Sequence, residues 1–508
     1  MVFCFEFKLR DIVKNKKHLC SGCYRNLIQL NINQIILSII RHHAIAITLH
    51  WWMEMAKLFG SSGVRGLVNV DLTPQLSCKV GLAVAKYAKA KKVIVARDTR
   101  ISGSMLEAAL VSGLLSSGTE VFLAGVTPTP TLAYATRELG ADAGFMLTAS
   151  HNPPQYNGIK VFKNDSLSYT DKDQDAVERN VAGQTYHLAD WRNVGKTTPV
   201  DASEVYLKMA LKAVTLHNQW HIVVDPGCGA TFNVAPRMLK AMGCKVTALN
   251  AQPDGYFPAR KSEPTAESLE DLAKVVKELG ANLGVAFDGD GDRVAFVDEN
   301  GEFVNFDRSL AAFAAYCLKQ SGGGIVVTNV EASMCFETTS KVQGGKVIRT
   351  RVGDIYVSEA VKQSGAVFGG EPCGAWIHPQ YHYCPDGPLS AALMLKVLEE
   401  ENKKLSQLVS EVPEYITKRE NIVCKNEQKY EAVEKIGVAL KKVFPAYADF
   451  SAVDGVRLAL KNGWLLVRAS GTEPLIRLTV EGESLVVAND ITRKATAIIN
   501  KQVEAGSK

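Results

Sequence analysis

Three short apolar runs constrain this fold most. Residues 92–96, 221–225 and 324–328 each read as a buried strand, and each leads through a brief loop into an amphipathic helical pattern, around 105–116, 233–242 and 331–342. A strand followed by a helix must return by crossover, so the next strand lies parallel to the first. Ligand loops in such units sit at the carboxyl ends of the strands. The C-terminal stretch differs. A strand at 415–424, a helix at 430–443, strands at 455–460, 464–468 and 476–481, and a helix from about Val486 make the order of an antiparallel α+β domain. The expected fold is therefore three similar parallel-sheet α/β domains followed by a C-terminal α+β domain capping the active site. At 508 residues the chain is too long for one core. Boundaries near Ser203, Asn305 and Leu408 divide it into 55–203, 204–304, 305–407 and 408–508.

Each expected domain carries one loop with chemistry in it. In Thr148-Ala149-Ser150-His151-Asn152-Pro153-Pro154, the two prolines cannot continue a helix and place Ser150 on an exposed turn suited to carrying a phosphoryl group. Lys160 follows on an apolar alternation and can reach back to a sugar hydroxyl or a phosphate; a surface turn with a solvated lysine has the same spacing. Asp288-Gly289-Asp290-Gly291-Asp292-Arg293 follows the strand at 283–287, and its alternate aspartates converge on one hard cation, for which Mg²⁺ is the natural candidate. An EF-hand is excluded because Arg293 occupies its glycine position and the flanks are β-like. A solvated acidic turn stays open. Gly370-Glu371-Pro372-Cys373-Gly374 puts a carboxylate on a turn at a strand end, where it can accept hydrogen bonds from sugar hydroxyls, although an ordinary hairpin turn fits too. Arg468-Ala469-Ser470-Gly471-Thr472, with Arg477 beyond it, makes a nest of backbone and charged donors for a phosphate dianion.

As an ordered set these four loops resemble the α-D-phosphohexomutase family of phosphoglucomutases, phosphomannomutases and phosphoglucosamine mutases, from about Ala56 to near the C-terminus. The resemblance implies transfer of phosphate between C6 and C1 of a hexose phosphate, through a phosphorylated Ser150 and a sugar bisphosphate that serves as intermediate or activator. It makes Ser150, Lys160, Arg65 and His151 the catalytic residues. One Mg²⁺ per site falls to Asp288, Asp290, Asp292 and Ser150. Substrate contacts fall to Arg293, Arg351, Gly353, Asp354, Glu371, Cys373, Arg468, Ser470, Gly471, Thr472 and Arg477. Glu371 to Trp376 looks most like the archaeal branch assigned as phosphoglucosamine mutases, with glucosamine 6-phosphate to glucosamine 1-phosphate as the implied reaction. Phosphomannomutase and phosphoglucomutase activities are the alternatives; a metal-dependent phosphatase and a non-catalytic sugar-phosphate sensor are more remote. Many members carry a serine at the Cys373 position and a histidine at the Ala375 position. His378 and His382 are available substitutes, read as surface residues. The Asp386-Gly387 pair resembles the family's Asp-Gly before a helix.

Composition bounds the partners. The formal charge of +5 falls to +1 without residues 1–54, so it gives no reason to expect nucleic acid. Eleven cysteines without a framework fit a reducing cytosol and a cytoplasmic enzyme, monomer or homodimer. Residues 1–54 read as an upstream extension, with translation starting at Met53 or Met55. Their Cys20 and Cys23 are too few for a zinc site, and polar residues interrupt the apolar run at 27–52, so no membrane span is expected.

Overall fold

The protein is described from a computed structural model, which covers residues 57–60, 63–471 and 473–506. The readings placed on residues 1–54, and Thr472 of the expected phosphate loop, lie outside the described residues.

Four sheets follow one another along the chain. The first contains β1 (Phe59–Gly60), β2 (Gly63–Leu67), β3 (Lys92–Arg97), β4 (Glu120–Val126), β5 (Ala143–Leu147), β6 (Tyr156–Lys163) and β7 (Thr197–Pro199), in the order β1-β2-β6-β5-β3-β4-β7. The second is β11-β10-β8-β9, built from β8 (His221–Asp225), β9 (Lys245–Ala248), β10 (Leu283–Phe287) and β11 (Val294–Val297). The third is β13-β12-β14-β15, from β12 (Gly324–Asn329), β13 (Gly345–Thr350), β14 (Phe368–Gly370) and β15 (Trp376–Ile377). The fourth is β16-β20-β19-β18-β17, from β16 (Ile416–Val423), β17 (Asp449–Ser451), β18 (Val456–Leu460), β19 (Gly463–Ala469) and β20 (Leu475–Gly482).

The first three sheets have a parallel centre, as expected, but each also carries an antiparallel return. That return is β5 to β6, β10 to β11 and β14 to β15. The serine, aspartate and glutamate loops are those three connections. The fourth sheet is antiparallel throughout, and its β19–β20 connection is the expected phosphate loop. All four loops therefore occupy the same kind of position, between a strand and its antiparallel partner.

The helices cover the sheets with apolar faces. Helix Gly387–Glu400 is buried along most of its length, and it packs in one continuous core with Ile222 and Phe287 of the second sheet and Phe368 and Trp376 of the third. The Asp386 side chain caps it by accepting from Leu389 N at 2.9 Å, a cap contributing about 1 kcal/mol. Leu405 and Leu408 belong to the same core, so the boundary read at Leu408 falls inside helix Leu405–Ser410 rather than in a linker. The helix read as starting at Glu331 begins at Cys335, because Asn329, Glu331 and Ser333 are used in turns at the carboxyl end of β12. No helix among the described residues is long and apolar enough to cross a membrane, and the eight cysteines there are free.

Candidate active site

The serine loop is held from beneath by one arginine. Arg100, its side chain fully buried, donates Nη2 to Ser150 O (2.8 Å) and Asn152 O (2.7 Å), and Nη1 to Pro153 O (2.7 Å) and Tyr156 O (3.0 Å). Its Nε pairs with Asp98 at 3.0 Å, and Asp98 also accepts from Thr148 Oγ1 at 2.7 Å. Thr148 Oγ1 in turn accepts from Ser150 N at 2.8 Å. So braced, Ser150 holds a left-handed φ of 51°, a conformation costing about 1–2 kcal/mol for a residue with a Cβ. The turn is not exposed as expected. Ser150 is 2 % exposed because the aspartate loop lies against it: a Cβ on Gly289 would stand 2.5 Å from Ser150 O.

Across that contact, Ser150 Oγ donates to Asp288 Oδ2 at 2.6 Å. One ligand-type oxygen from each of Asp288, Asp290 and Asp292 lies within 4.8 Å of the others, and all three residues are buried. Gly291 turns the loop at φ 77°, and Asp288 Oδ1 accepts from Gly291 N at 3.0 Å. Asp290 is anchored by Thr129, at the start of helix Thr129–Glu138, through both its backbone N–H and its hydroxyl. A helix N-terminus favours a carboxylate there. Lys160 is not solvated. From β6 its Nζ reaches Asp290 Oδ2 at 2.8 Å and also Asp292 Oδ2.

These charges perturb one another. Burial pulls the Lys160 ammonium down, but Asp290 and Asp292 outweigh it and hold the pKa well above the ordinary lysine value. Burial likewise pushes Asp290 up, and Lys160 reverses the shift, leaving that carboxyl low. For Asp288 and Asp292, burial and their neighbours' negative charge outweigh the opposing pull of Arg293 on both and of Lys160 on Asp292, and both carboxyls are raised. His151 Nδ1 lies 3.3 Å from Ser150 Oγ; burial, then Arg293 and Arg65, push its pKa down to about 3, so the ring is neutral. Arg65 donates Nη1 to Asn152 Oδ1 at 2.7 Å, and burial lowers its pKa.

The sugar-type loop joins the aspartate loop through the backbone. Val294 N donates to Gly374 O at 3.0 Å, and Gly387 N donates to Gly291 O at 3.1 Å. Gly374 has φ 88°, and a Cβ there would stand 2.1 Å from Val294 O. Glu371 accepts from Asn329 Nδ2 (2.7 Å) and Gly353 N (2.8 Å). Burial and then Asp354 raise its pKa to about 7. Burial pushes the Cys373 thiol to about 12, against the pull of Arg293, so it is an uncharged group in this loop. Gly353 and Asp354 thus converge with Glu371, and Asp354 acts electrostatically on Lys160 and Asp292 as well. Arg351 turns elsewhere. It pairs with Asp171 at 2.9 Å and stacks 3.9 Å from the Tyr356 ring centroid.

In the fourth loop, Arg468 pairs with Glu331 from the third sheet and with Asp454 at 2.9 Å. Ser470 Oγ accepts from Glu473 N at 3.2 Å, Arg477 pairs with Glu473 at 2.8 Å, and Gly471 is exposed. His378 and His382 are not surface residues. They are 3 % and 1 % exposed, His378 bonded to Ser390 Oγ and His382 to Asp386, which also accepts from the Tyr206 hydroxyl at 2.7 Å. Sequence reasoning missed Asp98, Arg100, Thr129 and Arg260. The charged Asp98 and Arg100 directly after an apolar strand were a readable signal. Arg260, which pairs with Asp225 at 2.9 Å and donates to Phe287 O at 2.7 Å, has no pattern around it.

Models of the phosphoglucomutase/phosphomannomutase α/β/α domains I, II and III and of the C-terminal domain match residues 56–187, 204–301, 305–415 and 420–497. A probable phosphoglucosamine mutase of Methanopyrus kandleri is 44% identical, the match covering 89% of this chain and 99% of that protein. The chain belongs to the phosphoglucomutase/phosphomannomutase family. A probable phosphoglucosamine mutase of Pyrococcus abyssi is 41% identical over 89% of this chain and 100% of its own. Among solved structures, a phosphoglucomutase/phosphomannomutase family protein from Burkholderia thailandensis has a TM-score of 0.80 at 25% identity, covering 88% of this chain and 97% of that one. The three α/β domains and the distinct C-terminal domain are thus the architecture of this family.

The acidic triad fits a divalent cation. Its donors are all hard oxygens, and Asp290 Oδ1 is buried without a hydrogen-bond partner, so a coordination position is free on the central ligand.

Proposed function

We propose that this chain interconverts glucosamine 6-phosphate and glucosamine 1-phosphate through a phosphorylated Ser150. The observation that carries this reading is Ser150 Oγ, 2.6 Å from Asp288 Oδ2 in a buried site beside two further aspartates and Lys160. The substrate follows the relatives named above. Ser150 Oγ gives its phosphoryl group to the C1 oxygen of the 6-phosphate; the P–O bond to serine breaks, the bond to sugar forms, and the proton lost by the sugar hydroxyl is balanced by the one that restores the Ser150 hydroxyl. The bisphosphate turns over, and the C6 phosphoryl group returns to Ser150.

Mg²⁺ on Asp288, Asp290 and Asp292 would neutralise charge on the transferring group. Lys160, held protonated by its two carboxylates, supplies a positive charge and a hydrogen-bond donor beside the same oxygens. Arg65, fixed by Asn152, adds a second cation. Glu371 accepts a sugar hydroxyl, while Arg468, Ser470, Gly471 and Thr472 hold the phosphate that is not reacting. The near-complete burial of Ser150 favours transfer to sugar over transfer to water. The enzyme is read as a monomer or homodimer, and the free cysteines among the described residues favour a cytoplasmic setting.

Two experiments test this. Turnover measured in parallel on glucosamine 6-phosphate, mannose 6-phosphate and glucose 6-phosphate should be fastest on the first; a preference for either other sugar rejects the substrate. Ser150→Ala should abolish turnover while sugar phosphate still binds, and near-wild-type turnover by that variant rejects the phosphoserine.

A further inference from the structure

The face of the fourth sheet turned toward the third carries two arginines of opposite situation. Strand alternation explains why both are there. Val456, Leu458, Leu465 and Val467 point into the core beneath the C-terminal helices, so Arg457, which opposes Leu466, and Arg468 emerge on the other side with Trp464. Arg468 has two carboxylate partners. Arg457 has none. It is 7 % exposed, its Nε is buried without a hydrogen-bond partner, and among the described residues it forms no ion pair. The Trp464 ring centroid lies 4.7 Å from its Cζ, and Arg349, Glu337, Glu481 and Asp449 act on it electrostatically without being bonded to it. Such stacking offsets only part of what burial of an unpaired charge costs.

Arg457 lines an open cavity of about 520 Å³ between β13 of the third sheet and β17–β18 of the fourth, large enough for a small ligand. Lys341, Arg349, Glu337 and Asp449 line it too. Arg349 is satisfied by Glu337 through two hydrogen bonds and by three backbone carbonyls. That leaves Arg457 and Lys341 without a bonded carboxylate: Glu337 is taken by Arg349, Glu481 accepts from Trp464 Nε1 and Met334 N, and Asp449 is the lining carboxylate with no ion pair among the described residues. We propose that this cleft is a second anion site, distinct from the serine loop, which takes the phosphate group of a small molecule on the unpaired fork of Arg457 with Lys341 as the outer cation. An occupant would bridge the edges of the third and fourth sheets and so hold the cap in one orientation. The proposal does not depend on the sugar assigned above.

The test is calorimetric titration of the full chain with inorganic phosphate. Arg457→Met should lose one phosphate per chain, or bind it at least about tenfold more weakly, and Lys341→Ala should weaken the same site. Asp449→Asn, on an exposed edge strand, removes the lining carboxylate that no cation neutralises and should tighten the site about threefold. A merely structural Arg457 predicts no such gain. Unchanged phosphate stoichiometry and affinity in Arg457→Met, or unchanged affinity in Asp449→Asn, overturns the proposal; if Arg457→Met does not fold, the opposite responses of Asp449→Asn and Lys341→Ala decide it.

Discussion

Glu371 is a carboxyl poised at neutrality, its pKa raised from 4.5 to about 7 by burial and by Asp354, against the hydrogen bonds from Asn329 and Gly353. A folded pKa above the unfolded value means that its contribution to stability is fully present below about 4.5 and is lost as pH rises through about 7. Wild type should therefore lose on the order of 2–3 kcal/mol relative to Glu371→Gln between pH 4.5 and 8, checked by urea unfolding at both ends of that window. Sugar-phosphate affinity should move the other way in wild type and stay flat in the variant, because only the ionised carboxylate accepts two donors and a sugar hydroxyl together. At this scale the sequence was readable where chemistry is set by neighbours along the chain. Alternate aspartates separated by glycines were read as a cation site, and Asp288, Asp290 and Asp292 do converge. His378 and His382 were misread as surface residues because their burial is set by Phe313, Phe368 and Tyr134, distant in sequence.

Among the elements, each loop is as rigid as the antiparallel pair that carries it, and the serine loop needs more. Its backbone departs from the ladder for the length of 148–155, and Arg100 satisfies three of its carbonyls and that of Tyr156 just beyond it. Arg100→Met would leave those groups and the buried Asp98 unpaired. The expected loss is about 3–5 kcal/mol, read by thermal unfolding, with turnover falling further than the folded fraction does. Arg100→Lys keeps the charge but cannot serve the same carbonyls and Asp98 together, so it should restore part of the stability and less of the turnover. The strands were legible from their apolar runs. The antiparallel returns were not, since β11 and β15 are short and fully buried, and an apolar run carries no sign of its direction.

For the whole molecule, the aspartate loop is the hub. It touches the serine loop through Gly289, the sugar-type loop through Val294, and helix Gly387–Glu400 through Gly291. The fourth loop is tied instead to the third sheet, through Arg468 and Glu331. Removing Asp290 and removing Arg468 should therefore leave different signatures. For Asp290→Asn, activity should fall steeply, by about a hundredfold or more, and recover only in part at high Mg²⁺. For Arg468→Ala, KM for sugar phosphate should rise about tenfold or more with the Mg²⁺ dependence unchanged. Steady-state kinetics across Mg²⁺ concentrations separate the two, and a shared response to Mg²⁺ would reject separate metal and phosphate roles for these loops.

The sequence by itself determined the local chemistry: the order of strands and helices, the four loops, and the residue types within them. These follow from hydrophobic period and from groups a few residues apart, which any short stretch of chain displays. Tertiary structure alone decided that Ser150 is buried against Gly289, that Lys160 spans two aspartates more than a hundred positions away, and that Arg351 turns to Asp171. Those outcomes depend on which sheet faces which. That is settled by shared cores such as the one around helix Gly387–Glu400, where side chains from separate sheets exclude water together and no local pattern records the partner.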